Sequence, residues 1–493
     1  MLDKNNQYAK IKFKIDTEVM RHLFEGTLVR DADRIPIDIV PSHRVPSRCC
    51  IYKERAVVRY RIMALAGYTL ETEDDEYRSL SSFMEEAMEE DKPKLPLFTT
   101  IAVGCSSCPK SQYQVSDVCR SCFARPCSTN CPKDAIEYVG GKAHINTDKC
   151  IKCGKCMERC PFHAIVHNCV PCEDSCPVGA VKQNENGISE INSDKCIGCG
   201  RCLRSCPFGA IAKRSGLIPV GKMLHRGEKV VGMIAPAIEG QFEGSLEQIK
   251  KAMKAVGFTE VVEVAEGAKI TAEREAKELM EKKEKGEGYL ATSCCPAWFS
   301  LVDKHIPAIR DHISTTLSPM GYTAQICKER FPGYKVVFIG PCVAKRYEAA
   351  TKYPELIDRV LSYGELASIF VAKGVNVADM PKDYEDDDVC KAIDDCRDFA
   401  VSGGVAECVL SRVDDRSKYK VMSINGIDSK VVRQIKLWPK IQPDADLVEI
   451  MCCYGGCVAG PGTFNSVPNA LKMREAKKKA RHEAWEKKEQ KEE

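Results

Sequence analysis

The sequence lacks any uninterrupted run of about twenty apolar residues, the length that a membrane-spanning helix needs, so no membrane partner is predicted. It also lacks an excess of one charge, because 73 basic side chains accompany 70 acidic ones. This balance predicts no nucleic-acid partner. The charged start MLDKNNQYAKIKFKID contains no apolar signal-peptide core. We therefore expect a soluble, cytoplasmic protein.

The chain is too long for one ordinary hydrophobic core. Its 493 residues suggest roughly two to four domains, each large enough to bury a metal site. Along the chain, short helical patterns give way to a cysteine-dense segment, then to apolar runs that alternate with helical stretches, and finally to a charged tail. We predict a mainly helical amino-terminal region, a cysteine-rich domain, a catalytic domain and a tail, helical or disordered, that is only a solvated face, at residues 1–100, 101–215, 216–468 and 469–493.

Cysteine is in clear excess, with 29 residues. A disulfide framework suits short secreted chains, so for this long chain a reduced compartment and metal ligation are the better interpretation. Cys49 and Cys50 stand apart, and an isolated pair is more often a pair of buried thiols. Four further cysteines follow no ligand spacing and are expected to be structural or incidental: Cys327, Cys390, Cys396 and Cys408.

Two segments repeat the same cysteine spacing, forty-six residues apart. Both read CxxCxxCxxxCP, within KCIKCGKCMERCPFHAI and KCIGCGRCLRSCPFGAI. In this ferredoxin spacing three cysteines bind one 4Fe-4S cluster, and the cysteine before proline binds another cluster. Structural zinc, the alternative, usually uses paired CxxC units separated by longer gaps. The predicted iron ligands are Cys150, Cys153, Cys156, Cys160, Cys196, Cys199, Cys202 and Cys206.

Further cysteine groups raise the predicted number of accessory 4Fe-4S clusters to four. A looser CxxCxxxxCxxxCP motif precedes the repeats, a CxxxCP tail lies between them, and one CxxC lies upstream. The additional ligands are Cys105, Cys108, Cys119, Cys122, Cys127, Cys131, Cys172 and Cys176. Pairing of adjacent motifs would join the triplets that begin at 119, 150 and 196 to Cys160, Cys131 and Cys176. The fourth cluster would then take Cys105, Cys108, Cys172 and Cys206, but the assignment and a role for Cys169 stay open.

From about residue 229 onward the pattern is that of an α/β domain. Apolar runs at 230–235, 260–264, 335–339 and 447–451 alternate with helical stretches. Strands separated by helices predict parallel sheets with βαβ crossovers. Functional groups of such folds usually lie on loops at strand ends.

Three loops of this region carry cysteine motifs of their own. They read TSCCPAW at 292–298, PCVAKRYE at 341–348 and EIMCCYGGC at 449–457. Together they resemble the three cysteine motifs of FeFe hydrogenases, enzymes that make or oxidise molecular hydrogen. The resemblance covers residues 229 to 462 and implies an H-cluster, a 4Fe-4S cubane joined to a two-iron subcluster with CO, cyanide and azadithiolate. It implies that Cys295, Cys342, Cys453 and Cys457 hold the cubane, with Cys457 bridging to the two-iron unit.

The resemblance also implies roles for residues that are not iron ligands. Lys345 would donate a charged hydrogen bond to a cyanide ligand. Ala235 and Pro236 would form an apolar wall over the two-iron unit. Met451 would extend that wall, although a buried methionine is more often mere packing.

A proton path follows from the same resemblance. The thiol of Cys294 would relay protons, and Glu275 and Glu278 would continue the path with Ser314 between them. The two glutamates lie three residues apart, so one helix face could present both. The alternative for this Glu- and Lys-rich segment is an exposed charged helix.

The chain departs from the best-known FeFe hydrogenases around these loops. Gly340 stands where they have methionine, Ala297 where they have glycine and Cys452 where they have alanine. The third loop ends in VAGPG, and no plant-type 2Fe-2S module is present. These departures resemble the divergent group B branch, which keeps the ligands and the proton relay. Residues around a ligand tune the potential of a metal, so rate and direction bias are open.

The resemblance predicts an α/β catalytic domain like the hydrogenase H-domain, with two parallel-sheet lobes. An α+β ferredoxin-like iron-sulfur domain and a small mainly helical amino-terminal region would precede it. The expected activity is the anaerobic, reversible reduction of protons to hydrogen, with ferredoxin or a similar low-potential carrier as partner and with maturation proteins that assemble the cofactor. One alternative is a slow hydrogen sensor. Another is a hydrogenase-like iron-sulfur assembly protein without the two-iron site, against which the doublet of Cys294 and Cys295 argues.

Overall fold

A computed structural model describes residues 7–71, 73, 75, 77–89, 96–105, 108–109, 112–382 and 391–492. Among these residues no helix is both long enough and apolar enough to cross a membrane. The amino-terminal region is helical, as predicted, and its helices are α1 Gln7–Phe24, α2 Leu28–Asp31, α3 Ile35–Ile39, α4 Ile51–Leu65 and α5 Leu80–Glu89. In α1 the buried Ile15, Val19 and Leu23 recur every fourth residue, which gives the helix one apolar face.

The cysteine-dense segment forms two small α+β modules of the ferredoxin-like kind. Antiparallel pairs β2–β5 and β3–β4 build the first module, and pairs β1–β8 and β6–β7 build the second. The first module is inserted between β1 and β6 of the second. The elements are β1 Phe98–Thr100, β2 Gln112–Val115, α6 Pro126–Thr129, β3 Ile136–Val139, β4 Lys142–Ile145, α7 Lys155–Arg159, β5 Ile165–Asn168, α8 Pro171–Asp174, β6 Val181–Gln183, β7 Ser189–Ile191, α9 Arg201–Ser205 and β8 Ile211–Lys213.

The rest of the chain is α/β with two parallel sheets, which confirms the predicted fold class. One sheet has the strand order β10-β9-β12-β13 and the other β11-β15-β14. The strands are β9 Val230–Ile234, β10 Glu260–Glu263, β11 Leu290–Ala291, β12 Lys335–Ile339, β13 Arg359–Leu361, β14 Val421–Asn425 and β15 Leu447–Met451. The helices are α10 Leu217–His225, α11 Leu246–Ala255, α12 Val264–Lys285, α13 Pro296–His305, α14 Pro319–Arg330, α15 Ala344–Thr351, α16 Tyr363–Ala372, α17 Gly404–Leu410, α18 Ser429–Ile435 and α19 Val467–Glu492.

The central strands of both sheets are apolar because helices cover both of their faces. Every residue of β9 and of β15 is buried, as expected for parallel strands inside an α/β domain. The carboxyl ends of β12 and β15 lead directly into two of the cysteine loops, and β11 leads into the third. The topology therefore brings three distant loops to one place.

The expectation of a solvated carboxyl-terminal tail is wrong. Helix α19 packs on the catalytic region and buries Arg481, which lies 2.7 Å from both Glu239 and Asp394. Arg474 lies 3.1 Å from Asp398. The charges of this segment find buried partners on the domain, which sequence composition does not reveal.

The expectation that Cys49 and Cys50 are buried is also wrong. Cys49 is exposed and Cys50 is half-buried. The Cys50 sulfur accepts a hydrogen bond of 3.4 Å from the Lys53 N–H at the start of α4, so this thiol caps a helix. Of the cysteines without ligand spacing, Cys390 lies outside the described residues.

Candidate iron-sulfur and catalytic site

The three cysteine loops line one apolar cavity. The cavity lies at the carboxyl ends of β9, β12 and β15, where an α/β fold usually places its functional site. Its walls include Ala235, Pro236 and Met451, as predicted from the resemblance. They also include the lysine of the second loop and the five cysteines that the sequence singles out in the three loops: Lys345, Cys294, Cys295, Cys342, Cys453 and Cys457.

Cys294 and Cys295 lie on the loop between β11 and α13. The Thr292 N–H donates to the Val448 carbonyl at 3.1 Å, which extends the pairing of β11 with β15 by one residue. Pro296 then begins α13, a position where the missing N–H of proline is tolerated. Cys295 is thereby fixed at the amino end of a helix.

Cys342 and Lys345 are carried by the loop after β12 and by the first turn of α15. The Lys345 Nζ lies 2.7 Å from the Glu348 Oε2. Although burial opposes the charge, this carboxylate raises the pKa of Lys345, so the ammonium is retained. Among the described residues no acceptor meets hydrogen-bond geometry with this buried nitrogen. Its protons are therefore available to a group inside the cavity.

Cys453 and Cys457 follow β15 and are held by a tight glycine turn. Gly456 has φ +90°, and a Cβ atom there would lie 2.6 Å from the Ser402 nitrogen, so only glycine fits. Cys457 then begins a 3₁₀ helix, Cys457–Ala459. The close approach seats Cys457 against the segment that contains Ser402.

The cavity thiols do not form a mononuclear metal site, and their environment is that of cluster ligands. In a tetrahedral zinc site with Zn–S bonds of about 2.3 Å, the sulfurs lie about 3.8 Å apart. Among the described residues, only Asp395, Cys396 and Cys408 bring three possible ligand atoms within 4.8 Å of one another, and these residues lie outside the cavity. Burial raises the pKa of Cys342 and of Cys457 to about 12. Thiolates here thus need added positive charge, which cluster iron supplies.

Glu275 lies behind the cavity wall, next to the wall residue Cys294. The Glu275 carboxylate accepts 2.8 Å and 2.9 Å bonds from the Ser293 N–H and hydroxyl. Burial raises the pKa of Glu275 to about 7, against these bonds and the hydroxyl of Ser314, which lower it. Burial also raises the pKa of Cys294, with Glu275 as the next cause. A neutral thiol and a carboxyl group that titrates near pH 7 therefore meet here.

The line of polar groups continues toward the surface. Glu275 is fully buried on α12, whereas Glu278, one turn later, is half-buried. The Glu278 carboxylate accepts from the Thr315 hydroxyl and from its N–H, the latter at 3.3 Å. Ser314 is buried between the two glutamates, and its oxygen accepts a 3.2 Å bond from the Thr316 N–H. The alternative of an exposed charged helix is wrong at Glu275.

The predicted accessory ligands gather inside the two ferredoxin-like modules. In the second module, burial raises the pKa of Cys202, and the nearby Cys199, Cys196 and Cys176 add to the rise. Burial raises the pKa of Cys108 to about 11, and a set of neighbours that shares only Cys172 with the surroundings of Cys202 adds to the rise: Cys206, Cys172, Cys105 and Cys169. These neighbours agree with the pairing of adjacent motifs, and Cys169 lies close enough to be an alternative ligand.

The first module groups its cysteines in the same manner. The buried Cys127 and Cys156 pack in one cluster with Cys119, Cys131, Cys150 and Cys160. Burial raises the pKa of Cys156, and Cys150 and Cys131 contribute to the rise. Cys122 is half-buried and Cys153 exposed. All sixteen predicted accessory ligands thus lie in the two modules, with their iron-binding role still a prediction.

A contact that the sequence does not reveal joins the second module to the cavity. A hydrogen bond from the Cys452 thiol lowers the pKa of Cys199 to about 7, and the same bond raises the pKa of Cys452. Both residues line the cavity. The Arg204 Nη1 donates to the Ala459 carbonyl at 2.6 Å and holds the module in place. The two cysteines lie far apart in the chain, so no spacing rule could connect them.

Profiles of known protein families match the α/β region and most of the cysteine-rich region of this chain. The profile described as iron only hydrogenase large subunit, C-terminal domain, matches residues 228–461. A 4Fe-4S binding domain profile matches residues 143–166, and the LdpA Fe-S cluster-binding domain profile matches residues 167–217.

Individual relatives agree with these profiles. Iron hydrogenase 1 of Clostridium pasteurianum is 26% identical over 404 residues, which cover 70% of this chain and 70% of that protein. The periplasmic Fe hydrogenase large subunit of Nitratidesulfovibrio vulgaris is 29% identical over 299 residues, or 49% of this chain and 70% of that one. A solved FeFe-hydrogenase variant from Chlamydomonas reinhardtii aligns with a TM-score of 0.40 at 20% identity and covers 51% of this chain and 84% of that chain.

Proposed function

The chain is an FeFe-hydrogenase-like protein, and we propose that it catalyses the reversible reduction of two protons to molecular hydrogen. Electrons would reach the site through four accessory 4Fe-4S clusters. The observation that carries this proposal is the convergence of the five loop cysteines and Lys345 on one cavity. The altered residues around the loops favour the group B branch of the family.

The cofactor would be held by the thiols that line the cavity. Cys295, Cys342, Cys453 and Cys457 would bind the cubane, and Cys457 would bridge to the two-iron subcluster. When bound, this group supplies the electrons and the metal site at which protons and hydrogen exchange. Lys345 would orient one cyanide, because its buried ammonium lines the cavity and the contact with Glu348 leaves N–H groups for a second acceptor.

The protein's own side chains would move the proton. Cys294 lines the cavity and stays protonated, so it can deliver a proton and recover one from Glu275. The carboxyl group of Glu275, with a pKa of about 7, is suited to pass protons in both directions near neutral pH. Ser314 and Glu278 would carry the proton on to the half-buried face of α12.

Electrons would enter the cavity from the second ferredoxin-like module. The second ferredoxin-like module contributes Cys199 directly to the cavity wall, so one accessory cluster would adjoin the cubane. The partner is proposed to be ferredoxin or a similar low-potential carrier in the cytoplasm. Hydrogenase maturation proteins would insert the two-iron unit.

Infrared spectroscopy tests the proposal. Protein matured with the two-iron assembly machinery should show CO and cyanide bands and should evolve hydrogen from a reduced viologen. Cys342→Ala should lose the bands, whereas Cys327→Ala, which changes a buried thiol outside the cavity, should keep them. Bands with negligible turnover would favour a hydrogen sensor. Absence of bands in protein whose accessory clusters are intact would favour an iron-sulfur assembly protein and overturn the proposal.

A further inference from the structure

Two buried cysteines outside the cavity lie in contact with each other. The Cys396 and Cys408 sulfurs are 3.3 Å apart, and both thiols are free. Cys396 belongs to the 3₁₀ helix Asp395–Ala400 and Cys408 to α17. A disulfide bond of about 2.05 Å requires the sulfurs to approach by roughly 1.2 Å. Small side-chain rotations can supply such a shift.

The environment of the pair differs from that of inert core thiols. The Arg412 guanidinium donates to the Cys408 sulfur at 3.2 Å and to the Cys396 sulfur at 3.3 Å. The Asp395 carboxylate accepts from Cys396 at 3.3 Å and from Cys408 at 3.5 Å. The contact with Cys396, burial and the Asp395 carboxylate raise the pKa of Cys408, whereas Arg412 lowers it. At most one thiol of the pair therefore ionises at a time, and the cation beside it stabilises that thiolate, the reactive form. The carboxylate offers a place for the displaced proton.

The same geometry argues against a bound metal ion. Asp395, Cys396 and Cys408 could each offer a ligand atom to one cation. The guanidinium of Arg412, however, already contacts both sulfurs and lies 2.7 Å from an Asp395 oxygen. A divalent cation there would meet this positive charge at close range, and the carboxylate would have to exchange its partner.

The pair is buried but lies just beneath solvent. Cys396 is 0% and Cys408 3% exposed, whereas the covering side chains of Arg412 and Asp395 are 16% and 47% exposed. A molecule as small as a peroxide would reach the sulfurs when these partly exposed side chains move apart. A protein partner cannot reach them without local opening.

The pair is also coupled to the cavity wall. Phe399 and Ala400, on the same 3₁₀ helix as Cys396, line the cavity. The Gly403 and Ala406 N–H groups, on either side of the start of α17, donate to the Glu449 carboxylate at 2.7 Å and 2.9 Å. A covalent change at the pair therefore acts on a segment that forms one side of the proposed site.

We propose that Cys396 and Cys408 form a redox-active dithiol, which a peroxide oxidises to an intramolecular disulfide. The thiolate of one cysteine attacks the peroxide, forms a sulfenic acid and releases water once the leaving oxygen is protonated. The second thiol attacks that sulfur, the S–S bond forms, and a second water leaves. The two thiols lose two electrons and two protons, and hydrogen peroxide is reduced to two waters. The step does not depend on the proposed hydrogenase activity.

Peptide mapping of the iron-sulfur-loaded protein tests the proposal. Trypsin cleaves after Arg397 and places the two cysteines on separate peptides, 392–397 and 398–412, each with one cysteine. Protein is treated anaerobically with a stoichiometric amount of hydrogen peroxide, its free thiols are alkylated, and the digest is analysed by mass spectrometry. The linked peptide pair should appear and should disappear after reduction. The peptide 311–328, which carries the buried Cys327 alone, should stay alkylated.

Variants separate the proposal from simple surface oxidation. Cys396→Ser should abolish the linked pair. Arg412→Gln should slow its formation roughly tenfold, the change in thiolate fraction for about one pKa unit, whereas Arg412→Lys keeps the charge and most of the rate. Sulfinic acid on either peptide without a link would overturn the proposal. So would one equivalent of zinc, retained by wild-type protein and lost in Cys396→Ser, because it would identify a cation site.

Discussion

Replacing Glu275 with glutamine tests the central step of the proposed proton path. Glutamine keeps the volume of the side chain, and its carbonyl oxygen can accept the two bonds from Ser293 that now measure 2.8 Å and 2.9 Å. Only the ability to ionise is lost. Glu273→Gln, on the exposed face of the same helix, makes the same chemical change at a side chain in contact with solvent.

The pKa of Glu275 sets the size and the sign of the stability effect. The pKa is raised from 4.5 to about 7, and each unit corresponds to about 1.4 kcal/mol, so the ionised form costs the folded state about 3 kcal/mol. Below pH 4.5 both states are neutral and the cost is absent. It grows as the pH rises toward 7, because only the unfolded state ionises there, and it stays constant above. Glutamine carries no such cost.

Two measurements follow from this difference. The apparent unfolding midpoint of Glu275→Gln, at one scan rate, should exceed that of wild type by about 3 to 6 °C at pH 8 and should converge with it below pH 4.5. Infrared difference spectra should show one carboxylic acid C=O band that disappears with a midpoint near pH 7 and is missing from the variant. The Glu273→Gln variant should match wild type in both.

Turnover should fall while the cofactor remains. Loss of a positioned proton-transfer group commonly costs about 10²- to 10⁴-fold in rate, so hydrogen evolution by Glu275→Gln should drop by that order with unchanged CO and cyanide bands. Turnover within threefold of wild type, in a variant that lacks the titrating band, would refute the relay role of Glu275. An equal loss in Glu273→Gln would refute the placement of the path.

Three further predictions concern other parts of the molecule. Cys294→Ala should keep the CO and cyanide bands and lose most hydrogen evolution, and unchanged turnover would contradict its relay role. Cys452→Ala removes one hydrogen bond to the Cys199 sulfur, worth about 1 kcal/mol, so redox titration by EPR should find the adjoining accessory cluster lower in potential by roughly 40 mV; no shift would rule out this contact. Arg481→Ala removes one cation from Glu239 and Asp394, although Arg397 still contacts Asp394 and Arg474 still lies 4.0 Å from Glu239. The loss should be about 2 to 3 kcal/mol, so the unfolding midpoint should fall by a few degrees, unlike that of Lys479→Ala, whose side chain is 78% exposed.

The parts of the fold that sequence could predict are those that depend on short, local sequence patterns. The central strands β9 and β15 are buried on both faces, so β9 appears as a continuous apolar run and β15 as a run interrupted only by Glu449. Two of the three cysteine loops could be expected to meet because β11 and β15 are neighbouring parallel strands that end at one edge of their sheet. The loop after β12 belongs to the other sheet, and its approach depends on how the two sheets pack. The paired ferredoxin motifs are similarly local, because four ligands fall within eleven residues.

What sequence could not predict are contacts between distant segments of similar composition. The charges of the carboxyl-terminal helix look like a solvated face until Arg481 is seen between Glu239 and Asp394. Burial of Glu275 is hidden for the same reason, since its neighbours along α12 are charged and exposed. The contact of Cys396 with Cys408 depends on how a 3₁₀ helix packs against α17, and cysteine spacing alone carries no sign of it.

The departure at Gly340 has a physical explanation two residues upstream. Side chains two apart on a strand point to the same face, and Phe338 precedes Gly340 at the end of β12. The Phe338 ring lines the cavity, and a Cβ atom on residue 340 would lie 2.6 Å from it and 3.3 Å from the Ala235 Cβ. The ring therefore occupies space that a side chain at 340 would need, and glycine at 340 is what permits the ring to turn inward. The loss of the family's methionine is thus a redistribution of apolar volume along one strand, and a Gly340→Met change would be tolerated only if Phe338 also became smaller.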